Sequence, residues 1–248
     1  MSTNQPRKPA GTPVGGQWAP TAHDETDIDL GQRPSNRQPK LSVAKDGTKR
    51  WRLDKQLHRE DGPAVERPSG TKEWWQHGER HRTDGPAVEK ANGDRFWYQH
   101  GKLHRDDGPA VESANGDRVW YQHGELHRDD GPAVENANGD RIWYQHNRPH
   151  RDDGPAVESA SGDRFWYQHG KLHRDDGPAE EHQDGTVEWW VDGKPHRDGG
   201  PAIEHLNGPK LWYKHGLLHR TDGPAVEHQD GTVEWWVDGK RASPPVQR

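Results

Sequence analysis

The chain has 248 residues and a formal net charge of -6, with 27% hydrophobic and 31% charged residues. This composition excludes an ordinary globule with a thick core, and the 13 Trp exclude a wholly disordered chain, because disordered segments are poor in aromatic residues. Cys is absent, which excludes disulfides and thiolate chemistry. The mild negative charge argues against nucleic acid or an anionic membrane as the main partner.

Residues 1–40 are predicted to be a disordered leader, since they are rich in Pro, Gly, Thr, Asn and Gln and lack helical or strand periodicity. They contain no apolar stretch typical of a secretion signal, and no run in the chain approaches the ~20 apolar residues that span a bilayer. A cytoplasmic protein is therefore expected. Within the leader, GTPVGGQWA at residues 11–19 resembles a GTPxGGQ[WF]A motif of otherwise unrelated actinobacterial and phage proteins.

Residues 41–241 are predicted to form an array of 23-residue repeats, followed by a C-terminal tail at 242–248. Gly-Pro-Ala recurs eight times without a change of spacing, and Trp opens every unit. A half unit precedes the first Trp, and a ninth unit begins at Trp235 and stops near Arg241. The eight full units open at Trp51, Trp74, Trp97, Trp120, Trp143, Trp166, Trp189 and Trp212.

Turn-forming residues divide each unit into short strands. In the unit that opens at Trp97, Asn115-Gly116 predicts a hairpin turn, and Gly101 predicts a second break with a left-handed backbone. Gly108-Pro109 predicts a bulge or corner within the second strand, because Pro cannot donate a ladder hydrogen bond. Two further Gly per unit leave no room for a helix. The predicted fold is therefore all-β, an elongated twisted ribbon of stacked antiparallel β-hairpins.

The two faces of the first strand, Asp94 to His100, have different compositions. Trp97 and its equivalents occupy the same face of this strand in every unit, so this face is interpreted as the structural spine. The other face varies among units and is aromatic in the four central ones. Two interpretations stay open: this face is covered by packing or dimerisation, or it is an exposed patch that binds a partner. The predicted binding residues are Phe96, Tyr98, His100, Tyr121, His123, Tyr144, His146, Phe165, Tyr167 and His169.

The segment Tyr98-x-x-Gly101-x-x-His104 resembles the [YW]-x-x-G-x-x-H core of the MORN repeat, a two-stranded hairpin of similar length. The resemblance covers about residues 41–241. It differs after the His, where Arg-Asp-Asp-Gly-Pro-Ala replaces Gly-x-Gly, so the chain looks like a bacterial variant of the family. The resemblance implies scaffolding, dimerisation, or contact with proteins or lipids, and in some bacterial relatives an antitoxin role, without catalysis.

Repeated His-Arg pairs suggest a metal site, but neighbouring copies would lie roughly 9–10 Å apart and could not share an ion. We expect instead a structural His satisfied by backbone or Asp, with Arg pairing to Glu112, Glu135 and their equivalents. Asp107 and its equivalents are expected to cap Asx-turns rather than to bind Ca²⁺. Nearly every polar residue is duplicated, whereas an enzyme needs a unique constellation. No enzyme activity, metal or cofactor is predicted.

The predicted function is a non-enzymatic protein-binding or scaffolding module that uses the aromatic and His-bearing face of the central units. Its protein partner is not identified by the sequence, and self-association is a further possibility because stacked hairpins leave an open strand edge at both ends. The alternatives are an antitoxin or immunity protein that neutralises a toxin, a self-assembling structural protein, and a membrane-surface lipid binder.

Overall fold

The computed structural model describes residues 38–244. Every regular element in this range is a β-strand, and none is a helix. One long antiparallel sheet of 19 strands runs along the array, beside eight two-stranded sheets. The expected all-β architecture of antiparallel hairpins, repeating about every 23 residues, is therefore confirmed.

The array begins with β1 (Lys40–Val43), β2 (Lys49–Leu53) and β3 (Gln56–Leu57). Four strand types then recur. Linking strands, which follow Gly-Pro-Ala, are Val65–Glu66, Val88–Glu89, Val111–Glu112, Val134–Glu135, Val157–Glu158, Glu180–Glu181, Ile203–Glu204 and Val226–Glu227. Pre-Trp strands are Lys72–Glu73, Arg95–Phe96, Arg118–Val119, Arg141–Ile142, Arg164–Phe165, Val187–Glu188, Lys210–Leu211 and Val233–Glu234.

The other two types form the two-stranded sheets. Post-Trp strands are Trp75–Gln76, Tyr98–Gln99, Tyr121–Gln122, Tyr144–Gln145, Tyr167–Gln168, Trp190–Val191, Tyr213–Lys214 and Trp236–Val237. Return strands are Glu79–Arg80, Lys102–Leu103, Glu125–Leu126, Arg148–Pro149, Lys171–Leu172, Lys194–Pro195, Leu217–Leu218 and Lys240–Arg241.

Each unit is one hairpin whose second strand is interrupted by a loop. Tyr98–Gln99 pairs with the return strand Lys102–Leu103, whereas Arg95–Phe96 pairs with the linking strand Val111–Glu112. The segment between the two halves, residues 104–110, leaves the strand and is called the excursion here. The Trp97 N–H donates to the Ala110 carbonyl at 2.8 Å, and the His104 N–H donates to the Trp97 carbonyl at 3.1 Å. The predicted interruption of the second strand at Gly-Pro is confirmed.

Two turns with positive φ angles close the hairpins. His100 and Gly101 have φ values of 48° and 74°, the geometry of a two-residue type I′ turn. Asn147, which replaces Gly in one copy, has φ 61°, as its substitution predicts. At the other turn, Gly116 has φ 100° and donates to the Ser113 carbonyl at 2.9 Å, which is a three-residue loop with a left-handed glycine.

The linking strands join the units into the long sheet. Val111 pairs on one side with Phe96, which precedes Trp97, and on the other side with Val119, which precedes Trp120. A second connection runs along the two-stranded sheets, where the Gly124 N–H donates to the Leu103 carbonyl at 2.8 Å. Each unit therefore contacts mainly its neighbours, as in other linear repeat proteins.

The excursion covers the Trp face of the ribbon. The Arg105 guanidinium lies over the Trp97 ring, 4.1 Å from its centroid, and donates to Asp107 at 2.8 Å and to Glu112 at 3.0 Å. The same stacking occurs on all eight full units, at 3.6 to 4.2 Å. A Cβ on Gly108 would lie 3.0 Å from the Arg105 Cζ, so glycine leaves room for the guanidinium. The predicted Arg–Glu pairing is confirmed.

The Trp rings are half-buried, and the side chains that are enclosed in every full unit are the Gly-Pro-Ala alanines, each 0% exposed. Those alanines are Ala64, Ala87, Ala110, Ala133, Ala156, Ala179, Ala202 and Ala225. Asp107 does not cap an Asx-turn, since its carboxylate accepts from Arg105 Nε instead. At each of the buried alanines the excursion turns back against the strand and encloses the methyl group.

Removal of Arg105 should therefore destabilise the unit. We expect Arg105→Ala to lower the free energy of unfolding by about 2–3 kcal/mol, since it removes a cation–π contact and leaves Glu112 without its closest cation. Arg95→Ala is the control, because the Arg95 side chain is 60% exposed and lies 3.7 Å from Glu112. It should cost less than about 1 kcal/mol. Equal losses in chemical denaturation would contradict the structural role of the stacked Arg.

Candidate binding face

The face opposite the Trp spine is aromatic and apolar in the central units. Phe96 and Tyr98 flank Trp97 in the chain, and their cross-strand partners are Val111 and Leu103. Directly opposed residues of an antiparallel pair share a face, so these four side chains form one apolar patch per unit. The patches adjoin along the ribbon and are called the aromatic face here. Its core residues are Phe96, Tyr98, Val119, Tyr121, Ile142, Tyr144, Phe165 and Tyr167, all half-buried.

The tyrosines of this face form a continuous row. Burial raises the pKa of Tyr121, and the adjacent Tyr98 and Tyr144 hydroxyls raise it further. Burial likewise raises the pKa of Tyr167, with additional contributions from Glu180 and Tyr144. The structure therefore brings together the tyrosines that the sequence singled out. With their raised pKa values, Tyr121 and Tyr167 stay neutral at physiological pH, and the row offers aromatic rings and hydroxyls to a partner.

The histidines of the predicted site have a different environment from the tyrosines. His100, His123, His146 and His169 are the first residues of the two-residue turns, and all four are exposed. Each ring packs on a His of the preceding excursion, as His123 does on His104 at 4.5 Å between ring centroids. The sequence places these His rings on the aromatic face by strand alternation. The positive φ at the turn interrupts that alternation and directs the rings toward the excursion His instead.

The excursion histidines are structural. His104 Nδ1 accepts the backbone N–H of His123 at 3.1 Å, and its Nε2 lies 3.1 Å from Asp106. The same backbone bond recurs from unit to unit and links residues 19 apart. This is the arrangement that the sequence predicted for the repeated His.

A second ladder was not foreseen from the sequence. Asp94 Oδ1 accepts the Ala114 backbone N–H at 2.9 Å, across the turn of the next unit. This hydrogen bond, together with those from Asn92 and Lys90, lowers the pKa of Asp94 to about 2. Asp117 and Asp140 make the same bond to Ala137 and Ala160. The available signal is the Asp that follows each Asn-Gly turn, as Asp94 follows Asn92-Gly93.

Charged groups lie at the N-terminal end of the aromatic face. Glu73 takes the place of Phe96 and is only 4% exposed. It accepts from Arg67 at 2.6 Å, Arg80 at 3.2 Å and Trp75 Nε1 at 3.1 Å. Burial opposes ionisation here, but the two guanidinium groups outweigh it and lower the pKa of Glu73.

The residue before the opening Trp, Glu73 in this case, varies together with the residue after that Trp. Units with Glu before the first Trp have a second Trp after it, whereas units with an apolar residue there have Tyr. The reason is a side-chain hydrogen bond, since Trp190 Nε1 donates to Glu188 at 3.1 Å and Trp236 Nε1 donates to Glu234 at 2.9 Å. The aromatic face thus lies between Glu–Trp units, with Glu73 at one end and Glu188 at the other.

Clefts also occur on the other side of the ribbon, between successive excursions. One of them has a volume of about 540 Å³ and is lined by Asp106, Asp107, Trp120, Gln122 and Arg128, among others. Asp106 and Asp107 are already paired with His104 and Arg105 of their own excursion.

Comparisons with known proteins give no assignment: no protein-family model matches the chain, and no curated protein matches it significantly. Within residues 38–244 there is no helix long and apolar enough to cross a membrane. The leader motif at 11–19 and most of the predicted leader lie outside the described residues, as do the last four residues of the predicted tail.

One histidine yields a pH prediction. His81 has Thr83 where His104 has Asp106, and burial, followed by the charge of His100, lowers the pKa of His81 below its usual 6.5. A lowered His pKa means that the unfolded chain binds more protons, so this contribution to stability is complete above pH 6.5 and lost as the pH falls below it.

Thr83→Asp should reduce that loss, because it supplies the carboxylate that the neighbouring excursions have. We expect the variant to raise the pKa of His81 in an NMR titration and to lose less unfolding free energy than the wild type between pH 7 and pH 5. The Asp groups with lowered pKa lose their contribution only below their usual value of 3.8, outside this range. An unchanged His81 titration in the variant would contradict this explanation.

Proposed function

We propose that this protein is a non-enzymatic binding or scaffolding module whose aromatic face binds a protein partner. The observation that carries the proposal is the contrast between the two faces. The Trp face is covered by the chain's own excursions, whereas no strand or helix outside the repeat units exists among residues 38–244 to cover the aromatic face. A row of rings that spans four units without such cover is typical of an interaction surface.

The chemistry of the face suits a protein partner. Tyr and Phe supply large apolar area at a low cost in side-chain entropy, and Tyr adds a hydroxyl that can donate or accept. The apolar centre has charged boundaries at Glu73 and Glu188, which resembles the apolar core and polar rim of protein interfaces. Four similar units also offer several equivalent contacts to a repetitive or extended partner.

The hairpin array and its Tyr-x-x-Gly-x-x-His pattern support membership of a bacterial variant of the MORN family. We assign residues 1–40 as a leader, 41–241 as the binding array and 242–248 as a tail, in a cytoplasmic protein. A toxin as the partner would specify an immunity or antitoxin role, and lipid as the partner would specify a membrane-surface role.

The test compares two matched triple variants. Tyr98→Ala/Tyr121→Ala/Tyr144→Ala removes the row, whereas Gln99→Ala/Gln122→Ala/Gln145→Ala changes the adjacent residues that point to the other face. We expect affinity capture to recover a partner with the wild type and the Gln variant, and the purified partner to bind the Tyr variant at least about tenfold more weakly, since buried Tyr residues are common interface hot spots. Circular dichroism establishes that each variant is folded.

Equal binding by a folded Tyr variant would contradict the proposal. Flotation with anionic liposomes forms a separate arm of the experiment. Flotation that depends on the Tyr row, without a protein partner, would favour the lipid-binding alternative instead.

A second candidate function, self-assembly, is favoured by the two ends of the sheet. Each pre-Trp strand lies between two linking strands, as Arg118–Val119 does between Val111–Glu112 and Val134–Glu135. Val233–Glu234 has a linking strand on one side only within the described residues. At the other end, β1 takes the place of a linking strand beside β2, and no strand among residues 38–244 pairs with its outer edge.

The two unpaired edges match in register. Continuation of the repeat pattern from one copy to the next places Ser42 opposite Glu234 and Val43 opposite Val233. Val43 is 61% exposed and Val233 is 48% exposed, although both are strand residues. Such a head-to-tail contact uses different surfaces of each copy, so it would add copies without closing.

The prediction for self-assembly uses one variant at each end. The wild type should gain mass with concentration in light scattering, whereas Val43→Lys and Val233→Lys, each with a charge on an edge strand, should stay monomeric. A mixture of the two variants should give heterodimers only, because each retains one intact end. A wild type that stays monomeric at high concentration would exclude this second candidate and leave the aromatic-face proposal untouched.

A further inference from the structure

One side-chain cluster departs from the repeat at the far end of the aromatic face. Glu180 is the first residue of its linking strand, a position that is aliphatic in the seven other units. Those residues are Val65, Val88, Val111, Val134, Val157, Ile203 and Val226. Glu180 is paired directly with Glu188 on one side and with Phe165 on the other. Two carboxylates therefore face each other on a surface that is otherwise apolar.

The cluster lacks the cations that satisfy its counterpart. The equivalent of Glu188 in the second unit is Glu73, which is held by Arg67 and Arg80. The residues equivalent to these two arginines are His182 and Pro195, so neither guanidinium is present. Glu180 adds a further negative charge at the same place. A divalent cation would balance the negative charge of the two facing carboxylates.

The geometry suits a metal ion. One ligand atom from each of Glu180, His182 and Glu188 lies within 4.8 Å of the others, and all three residues are half-buried. His182 Nε2 and Glu180 Oε2 are 3.1 Å apart. Ligand atoms about 2.0–2.2 Å from a tetrahedral Zn²⁺ are separated from one another by roughly 3.4 Å, so only small side-chain rotations are needed.

Supporting groups surround the three residues. His182 Nδ1 lies 3.9 Å from the Asp163 carboxylate, and the edge-on Phe165 ring lies 5.6 Å from the imidazole between centroids. Trp190 Nε1 donates to Glu188 at 3.1 Å. A carboxylate near the second ring nitrogen of a ligating His is typical of protein metal sites, and the hydrogen bond from Trp190 orients the Glu188 carboxylate.

We propose that Glu180, His182 and Glu188 bind one divalent transition-metal ion of the Zn²⁺ class. One imidazole and two carboxylates are a ligand set that Zn²⁺ accepts, and three protein ligands leave a fourth position for water or for a partner's side chain. The ion would lie where the aromatic face meets the Glu–Trp units. The site does not depend on the proposed function, because its ligands all come from this chain.

The test is a calorimetric titration of the full chain with Zn²⁺ alone. Glu180→Val restores the residue that six other units have, so the variant is expected to fold normally. We expect the wild type to show one tight site whose affinity falls by more than about tenfold in Glu180→Val and in His182→Ser. The control is His205→Ser, which changes the equivalent histidine of the next unit and should leave the tight site unchanged.

Thermal unfolding gives a second readout for the same proteins. Zn²⁺ should raise the melting temperature of the wild type and of His205→Ser, but not that of Glu180→Val. The chain has 18 His, so weak binding elsewhere forms a background common to all variants. Identical isotherms for the wild type and Glu180→Val, with no tight site above this background, would overturn the proposal.

Discussion

The backbone junction at each Trp is the constraint on which the rest of the unit depends. The Trp97 N–H donates to Ala110 and the Trp97 carbonyl accepts from His104, the two ends of the excursion, so the backbone of one residue holds the loop closed. A buried alanine follows from this closure, since the chain returns close to its own strand. The Arg105 guanidinium then fills the space between the loop and the Trp97 ring, and Gly108 leaves room for it.

Two side-chain ladders hold adjacent units in register. The excursion histidines accept backbone N–H groups at the tight turns, and the Asp residues after the Asn-Gly turns accept them at the other side of the ribbon. Both ladders satisfy backbone donors that the strand pairing leaves free. Because these bonds join one unit only to the next, the array is stabilised by nearest-neighbour contacts rather than by a common core.

This division of roles leaves one face free to vary. In every full unit the excursion packs on the Trp face, and the residues of this face are therefore nearly constant. The aromatic face carries no such requirement. Its units have either an apolar residue with Tyr or a Glu with Trp, and the Glu–Trp combination is linked by a side-chain hydrogen bond. The central Tyr row, its charged boundaries and the Glu180 cluster are all consequences of that freedom, and they are where the molecule differs most from a uniform repeat.

The sequence by itself determined the all-β class, the 23-residue period, the turns and the division into two faces, because period-2 patterning and Gly positions are local properties of the chain. It also identified the tyrosines that form the row. Only the tertiary structure decided that His100 packs on His81 rather than following strand alternation, since a positive-φ turn redirects the side chain. The same holds for the Asp94–Ala114 bond and for the meeting of Glu180, His182 and Glu188, because these contacts join residues whose proximity depends on strand pairing and on the stacking of units.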